Sequence, residues 1–320
     1  MEKRGIEFNF AVLFSIIVGA VIIFLAIYSS TKIIKTGTSE KESSLTKQLT
    51  MIFDPMETGI ASAKYKSVSF SEESRIYNEC FTEGDFGSQR FSFSTKSFRD
   101  WGEKNLGQRI SNKFVFSDKV EEGKKAYIFS KPLDMPFKVS ELIFLTTKTY
   151  YFDNPPDFIK DEVESMSIQN IKLANYSSSD IKVCFGTGAG ARTRCNMTVT
   201  PLCLDNCDEN YGEYDYGKIT KGGKTIEYYS PALMYAGIFS DTTIYECNVK
   251  RLMKRLSSQA LLYGDESYFI NTKCGAVAKE ELQALSVSAL SLQSSSGLSD
   301  VANIAKNVNE KNIAASCALW

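Results

Sequence analysis

Leu142–Met166 reads LIFLTTKTYYFDNPPDFIKDEVESM. Leu142–Phe152 is rich in β-branched and aromatic residues, the composition of a strand. Asp153 or Asn154 then stands near a helix cap, with two prolines where a missing amide costs least, ahead of an amphipathic run. NIKLANY (170–176) and IKVCF (181–185) are strand-like again. Strand, helix and strand at this spacing predict a βαβ unit, and therefore a parallel pair within a mixed sheet.

The flanks extend that reading. RFSFS, KFVFS and KAYIFS predict further strands between Lys64 and Phe152, and KITKGGKTIEYY (218–229) predicts a hairpin turning at Gly222–Gly223. After residue 241 the period becomes helical. Val249, Leu252, Met253 and Leu256 share one face of NVKRLMKRL. Lys250, Arg251, Lys254 and Arg255 line the other, a candidate lipid-facing basic patch. EELQALSVSALSL and SDVANIAKNVNEKNI repeat the helical pattern.

The N-terminus has a different character. Phe8–Tyr28 contains no charge, and at roughly 1.5 Å per residue a helix of this length spans about 30 Å of hydrocarbon. It is longer than the apolar region of a secretory signal, and AIYSS is a poor cleavage site. A single membrane-spanning helix is expected. TGTSEKESSLTKQ (36–48) reads as a hinge or frayed helix end, and Leu45, Leu49, Ile52 and Met56 then mark a short amphipathic helix disturbed at Asp54–Pro55. The expected fold class is α+β, in five parts. These are a cytoplasmic tail (1–7), a transmembrane helix (8–29), a juxtamembrane hinge and amphipathic helix (30–60), a mixed α/β extracytoplasmic domain (61–240) and a helical C-terminal region packed on it (241–320).

All eight cysteines follow the apolar run, which fits disulfides outside the cell. Lysines beyond the run point the other way, but long domains cross membranes with little regard to charge. The expected topology is N-terminus cytoplasmic, body extracytoplasmic. Candidate disulfide cysteines are Cys184, Cys195, Cys203, Cys207, Cys247 and Cys274. Cys184 and Cys195 flank a glycine-rich turn, so a hairpin would bring them together.

The chain has no histidine, which excludes Ser-His and Cys-His nucleophiles and mixed Cys/His zinc sites. A single close cysteine pair, Cys203 and Cys207, lacks the second knuckle of a Cys₄ site. FGTGAGAR (185–192) has the glycines of a phosphate loop, but a strand-like run follows where a helix is needed, so it reads as a hairpin tip. Asp205, Asp208, Glu209 and Asp215 are weak calcium candidates without the usual ligand spacing. No catalytic residues, cofactor or nucleic-acid partner are expected at a net charge of −1.

Lys3-Arg4-Gly5 before an apolar helix resembles archaeal prepilin signals. That resemblance implies cleavage between Gly5 and Ile6 and a helix that forms the core of a filament. Glu7 stands at the second mature position rather than the fifth, and the polar stretch 36–44 interrupts the long stem expected of a pilin. The remainder is similar to uncharacterised single-pass, membrane-anchored surface proteins of small archaea. Three functions are carried forward. The first is an anchored surface protein that binds a protein partner, forms a homo-oligomer or supports the envelope. The second is a minor pilin-like subunit, and the third an anchored hydrolase using paired carboxylates.

Overall fold

The computed structural model describes residues 10–57, 65–97, 100–186, 194–202, 215–270, 272–314 and 320. The chain is α+β. In order, α1 (Phe10–Glu57) is followed by β1 (Tyr65–Phe81), β2 (Ser88–Ser97), β3 (Asp100–Trp101), β4 (Gln108–Ile110), β5 (Phe114–Phe116), β6 (Val120–Asp134), β7 (Lys138–Thr146) and β8 (Tyr150–Asp153). Then come α2 (Asp157–Ser165), β9 (Ile171–Lys172), β10 (Ile181–Phe185), β11 (Met197–Pro201), β12 (Tyr216–Lys221) and β13 (Lys224–Tyr229). Four helices close the chain: α3 (Ser230–Phe239), α4 (Thr242–Ile270), α5 (Thr272–Ser291) and α6 (Leu298–Ala314).

The strands form two sheets. The first has seven strands in the order β3-β2-β1-β6-β7-β5, with β4 added to β2, and is antiparallel except for β5 beside β7. The second has six, in the order β13-β12-β11-β10-β8-β9. β8 and β10 are parallel neighbours with α2 between them in sequence, which is the βαβ unit. β12 and β13 form the hairpin, and Gly222 and Gly223 turn it at φ 56° and 74°, the left-handed pair such a turn needs.

LIFLTTKTYYF, expected as one strand, is two. β7 ends at Thr146 and β8 begins at Tyr150 in the other sheet. The break is held by polar groups. The Glu121 carboxylate accepts from the Thr147 amide at 2.9 Å and its hydroxyl at 2.8 Å, and Thr146 Oγ1 accepts from the Lys148 amide at 3.1 Å.

α1 is one unbroken helix from Phe10 to Glu57, so the hinge expected at 36–48 is helical. Its far end is fixed. Glu42 is buried and accepts from both the amide and the hydroxyl of Thr95, at 2.9 and 3.1 Å. Leu49, Phe53 and Met56 then enter a core made by Phe91, Phe93, Val115, Ile128, Ile143 and Leu145 of the first sheet. A tethered end makes each added turn cooperative, which outweighs the poor helix propensity of Gly37 and the serines. At the other end Val12–Ser29 has a mean hydropathy of 2.7 and none of it is buried, which is long and apolar enough to cross a membrane.

Strand alternation gives the first sheet two apolar faces. Ile143 and Leu145 face α1, whereas Leu142 and Phe144 face a second core that runs continuously through the other sheet and α2 to α6. The sheet also curls. β5 and β2 stand toward opposite ends of the strand order, yet the Gln89 side-chain amide exchanges two hydrogen bonds with the backbone of Val115. Nε2 donates to the Val115 carbonyl at 2.7 Å, and Oε1 accepts from its amide at 2.9 Å. Phe53, fully buried, stacks edge-on to Phe91 with ring centroids 5.5 Å apart inside this curl. Phe53→Ala is expected to cost about 3–5 kcal/mol. Denaturant unfolding of the detergent-solubilised chain measures this, and a loss under about 1 kcal/mol would mean that α1 is not part of the core.

Candidate functional site

The N-terminus of α4 is where the two sheets and the helices meet. Asp241 precedes it, and its carboxylate accepts from the Thr243 amide at 2.8 Å and hydroxyl at 2.6 Å, capping the helix. Two adjoining hollows open there and share Lys224 and Thr242. The larger, about 630 Å³, is lined by Phe81, Glu83, Glu246, Lys250 and the half-buried disulfide of Cys80 with Cys247. The smaller, about 360 Å³, is lined by Asp118, Tyr150, Asn196, Lys221 and Asp241.

Charges under the smaller hollow are unusually placed. Glu121 is fully buried, and burial together with the Asp118 carboxylate raises it to about 7. Burial would lower the Lys148 amine, but Glu121 and Asp118 outweigh it and hold it above its usual value. Lys148 is ion-paired with Asp118. Lys221 donates to the carbonyls of Gly237 and Ser240 at the C-terminal end of α3, where a cation is favoured by the helix dipole. Burial lowers its amine to about 8. Burial also pushes the Tyr150 phenol well up. Two carboxylates, Asp118 and Asp241, and two amines, Lys221 and Lys224, thus line one hollow. Asp118 is committed to Lys148 and Asp241 to the α4 cap.

The basic residues of α4 do not form a lipid-facing patch. Arg251 is completely buried. It donates to the carbonyls of Phe86 at 2.9 Å and Lys113 at 3.1 Å, and to Gln89 Oε1 at 3.1 Å and Asn248 Oδ1 at 2.7 Å. Its guanidinium also lies 4.8 Å from the centre of the Phe114 ring. Burial lowers it to about 10. Lys254 donates to the carbonyls of Thr82 and Gly84 at 2.7 and 3.0 Å, and Arg255 to that of Asn112 at 3.2 Å. Lys250 lines the larger hollow. The charged face of α4 therefore grips the loops before β2 and β5. A solvated face and an inward face full of carbonyl acceptors have the same helical spacing, which is why sequence misassigned it.

Cys184 and Cys195 are bonded, with Cα atoms 6.0 Å apart. They do not sit in the expected hairpin, because β10 and β11 are parallel, with Cys184 beside Thr198. Cys247 pairs with Cys80, which sequence had not nominated. Cys203, Cys207, the Cys274 side chain, Asp205, Asp208, Glu209, Gly5, Ile6 and most of FGTGAGAR lie outside the described residues. Asp215 is described, and its carbonyl accepts from the Ser230 amide at 2.6 Å. Among the described residues no group of acidic or sulfur side chains could hold a metal. Glu121, Lys148 and Lys221 had no motif to mark them, and only the Gly222–Gly223 turn placed Lys221 at a strand end. Among family models, curated proteins and solved structures, none matches this chain.

Glu121 and Lys221 give stability opposite pH slopes. Folded Glu121 keeps its proton to about 7 against an ordinary value of 4.5, so across that window the folded state binds more protons and rising pH removes stability. Folded Lys221 loses its proton near 8 rather than 10.5, so over that higher window rising pH restores stability. Glu121→Gln should therefore flatten the decline between pH 4.5 and 7 in a series of denaturant midpoints. Parallel curves for parent and variant would refute the assignment.

Proposed function

We propose that this chain is a single-pass, membrane-anchored surface protein whose body lies outside the cell and binds a partner at the head of α4. One observation carries this reading: α1 runs without interruption from a fully exposed apolar segment into the core of the body. From Ser29 to Glu42 it covers about 20 Å at 1.5 Å per residue, so the body is held at a fixed distance from the apolar segment. The disulfides Cys80–Cys247 and Cys184–Cys195 favour an oxidising compartment, and with it the extracytoplasmic side. The paired hollows beside Cys80–Cys247 are the concave surface such a body offers to a ligand or partner.

Helix continuity also favours a second reading. The polar stretch that counted against a pilin-like stem is helical throughout, so the shape of a filament subunit is available to this chain. The two readings differ at the N-terminus. Mass spectrometry of the chain recovered from membranes should find Met1 intact, or removed alone, if α1 is an anchor. A mature chain beginning at Ile6 would replace the anchor reading with the filament. Topology is checked by placing a cysteine at exposed Ser179 and labelling intact cells with an impermeant maleimide. Labelling before lysis is expected, and labelling only after lysis would put the body in the cytoplasm.

A further inference from the structure

β1 is longer than its neighbour on one side. β6 pairs with Tyr65–Ser69 and again with Ser74–Tyr77, whereas β2 reaches β1 only from Ser74 to Phe81. Among the described residues no strand is paired with the β2 side of Tyr65–Glu73, although Lys96 of β2 reaches the Glu73 carboxylate at 2.8 Å. A register shift between Ser69 and Ser74 also interrupts the β6 ladder at Phe70–Glu73. Outward-turned amides and carbonyls on such an edge form a template for another strand. Edges are ordinarily protected by a proline or by charges within the run. Lys66-Ser-Val-Ser-Phe-Ser-Glu72 has charges only at its two ends and no proline, and Lys66, Ser67, Ser69 and Ser71 are exposed.

The run complements itself. In an antiparallel pair, facing residues share a face of the sheet, so a two-fold axis normal to the sheet must pass through a residue rather than between two. With the axis at Ser69, Lys66 faces Glu72 of the second copy, Val68 faces Phe70, Ser67 faces Ser71 and Ser69 faces itself. An axis at Tyr65 or Lys66 sets Lys66 against a like charge, Lys64 or its own copy, and one at Ser67 or Val68 leaves it facing Val68 or Phe70. Val68 and Phe70 belong to the face that packs against the Leu49 and Phe53 core, so their cross-strand contact would prolong that core.

We propose that Tyr65–Glu73 is a self-association edge, through which two copies join antiparallel about Ser69 and merge their first sheets into one. The pairing is independent of the side of a membrane on which the body lies.

The test uses the full chain in detergent. Facing residues of an antiparallel pair have Cα atoms about 4.5–5.5 Å apart, within disulfide reach. Ser69→Cys should give a covalent dimer under mild oxidation, well above the parent chain and Ser179→Cys, which sits on an exposed turn. Lys66→Glu sets like charges across both ends and should weaken dimerisation roughly five- to twentyfold by sedimentation. Adding Glu72→Lys to that variant should restore it. A monomer at every concentration, a Ser69→Cys cross-link no greater than that of Ser179→Cys, or a dimer indifferent to the charge swap would each overturn the proposal.

Discussion

The end of α1 is part of the core of the body, and this constraint organises the rest. Leu49 and Met56 are almost completely buried and Phe53 fully so. At about 1.5–3 kcal/mol for each large apolar side chain taken from water, the three contribute on the order of 5–9 kcal/mol. Total stabilities of domains are of the same order, so the body is not expected to stand without the helix. An anchor joined by a slack tether leaves its cargo free to tumble. Here Glu42 ties the helix to Thr95 where it leaves the body, and the direction of the apolar segment is fixed by the packing of the sheet.

A sheet that curls around a helix must close its gap, and this one does so with side chains. Gln89 acts as a short piece of strand against Val115, whose carbonyl also accepts from Asn78 at 3.3 Å and Asn248 at 2.9 Å. Arg251 then spans Gln89, Asn248 and two loop carbonyls. Among the described residues no carboxylate pairs with Arg251, so its charge is solvated by fixed dipoles, and losing any one of them would leave a buried donor unmet. Cys80–Cys247 bolts the same corner and ties together residues 167 apart in sequence. In the chain-entropy account, closing so long a loop removes much freedom from the unfolded chain, with a stabilisation of about 5 kcal/mol.

Elements governed by local rules were legible in the sequence. The α+β class, the βαβ unit around Asp157–Ser165, the Gly222–Gly223 hairpin and the apolar faces of α1 and α4 follow from period, cap and turn chemistry. The failures have physical causes. Periodicity reports which side of a helix is charged, not whether carbonyl acceptors await it, and so Arg251 looked solvated. Composition does not reveal that Thr147 is pinned by Glu121, and so one apolar run looked like one strand. The stretch at 36–48 has weak helix propensity, and it is supported by distant ties that periodicity does not report, Glu42 to Thr95 and Asn105 to Thr46. Cys184 and Cys195 are bonded as expected, but between parallel strands and not across the hairpin that was the ground for pairing them.

Elsewhere in the molecule, edges are covered by specific groups. β5 meets the amide of Gln89. The free side of β2 meets the segment after β3, where Gly102 donates to the Thr95 carbonyl at 2.9 Å and Asn105 both donates to and accepts from the backbone of Phe93. On β13 the Glu227 amide donates to Ser295 Oγ at 3.0 Å and its carbonyl accepts from Tyr245 Oη at 2.6 Å. Ser295 is itself held by Glu246. A fold that spends a buried glutamine, an asparagine, a serine and a tyrosine on covering edges leaves Tyr65–Glu73 conspicuous. That segment follows α1 in sequence and shares its core through Val68 and Phe70. A strand added at that edge would therefore press on the same side chains that orient the apolar helix, so pairing there would be coupled to the direction of the helix.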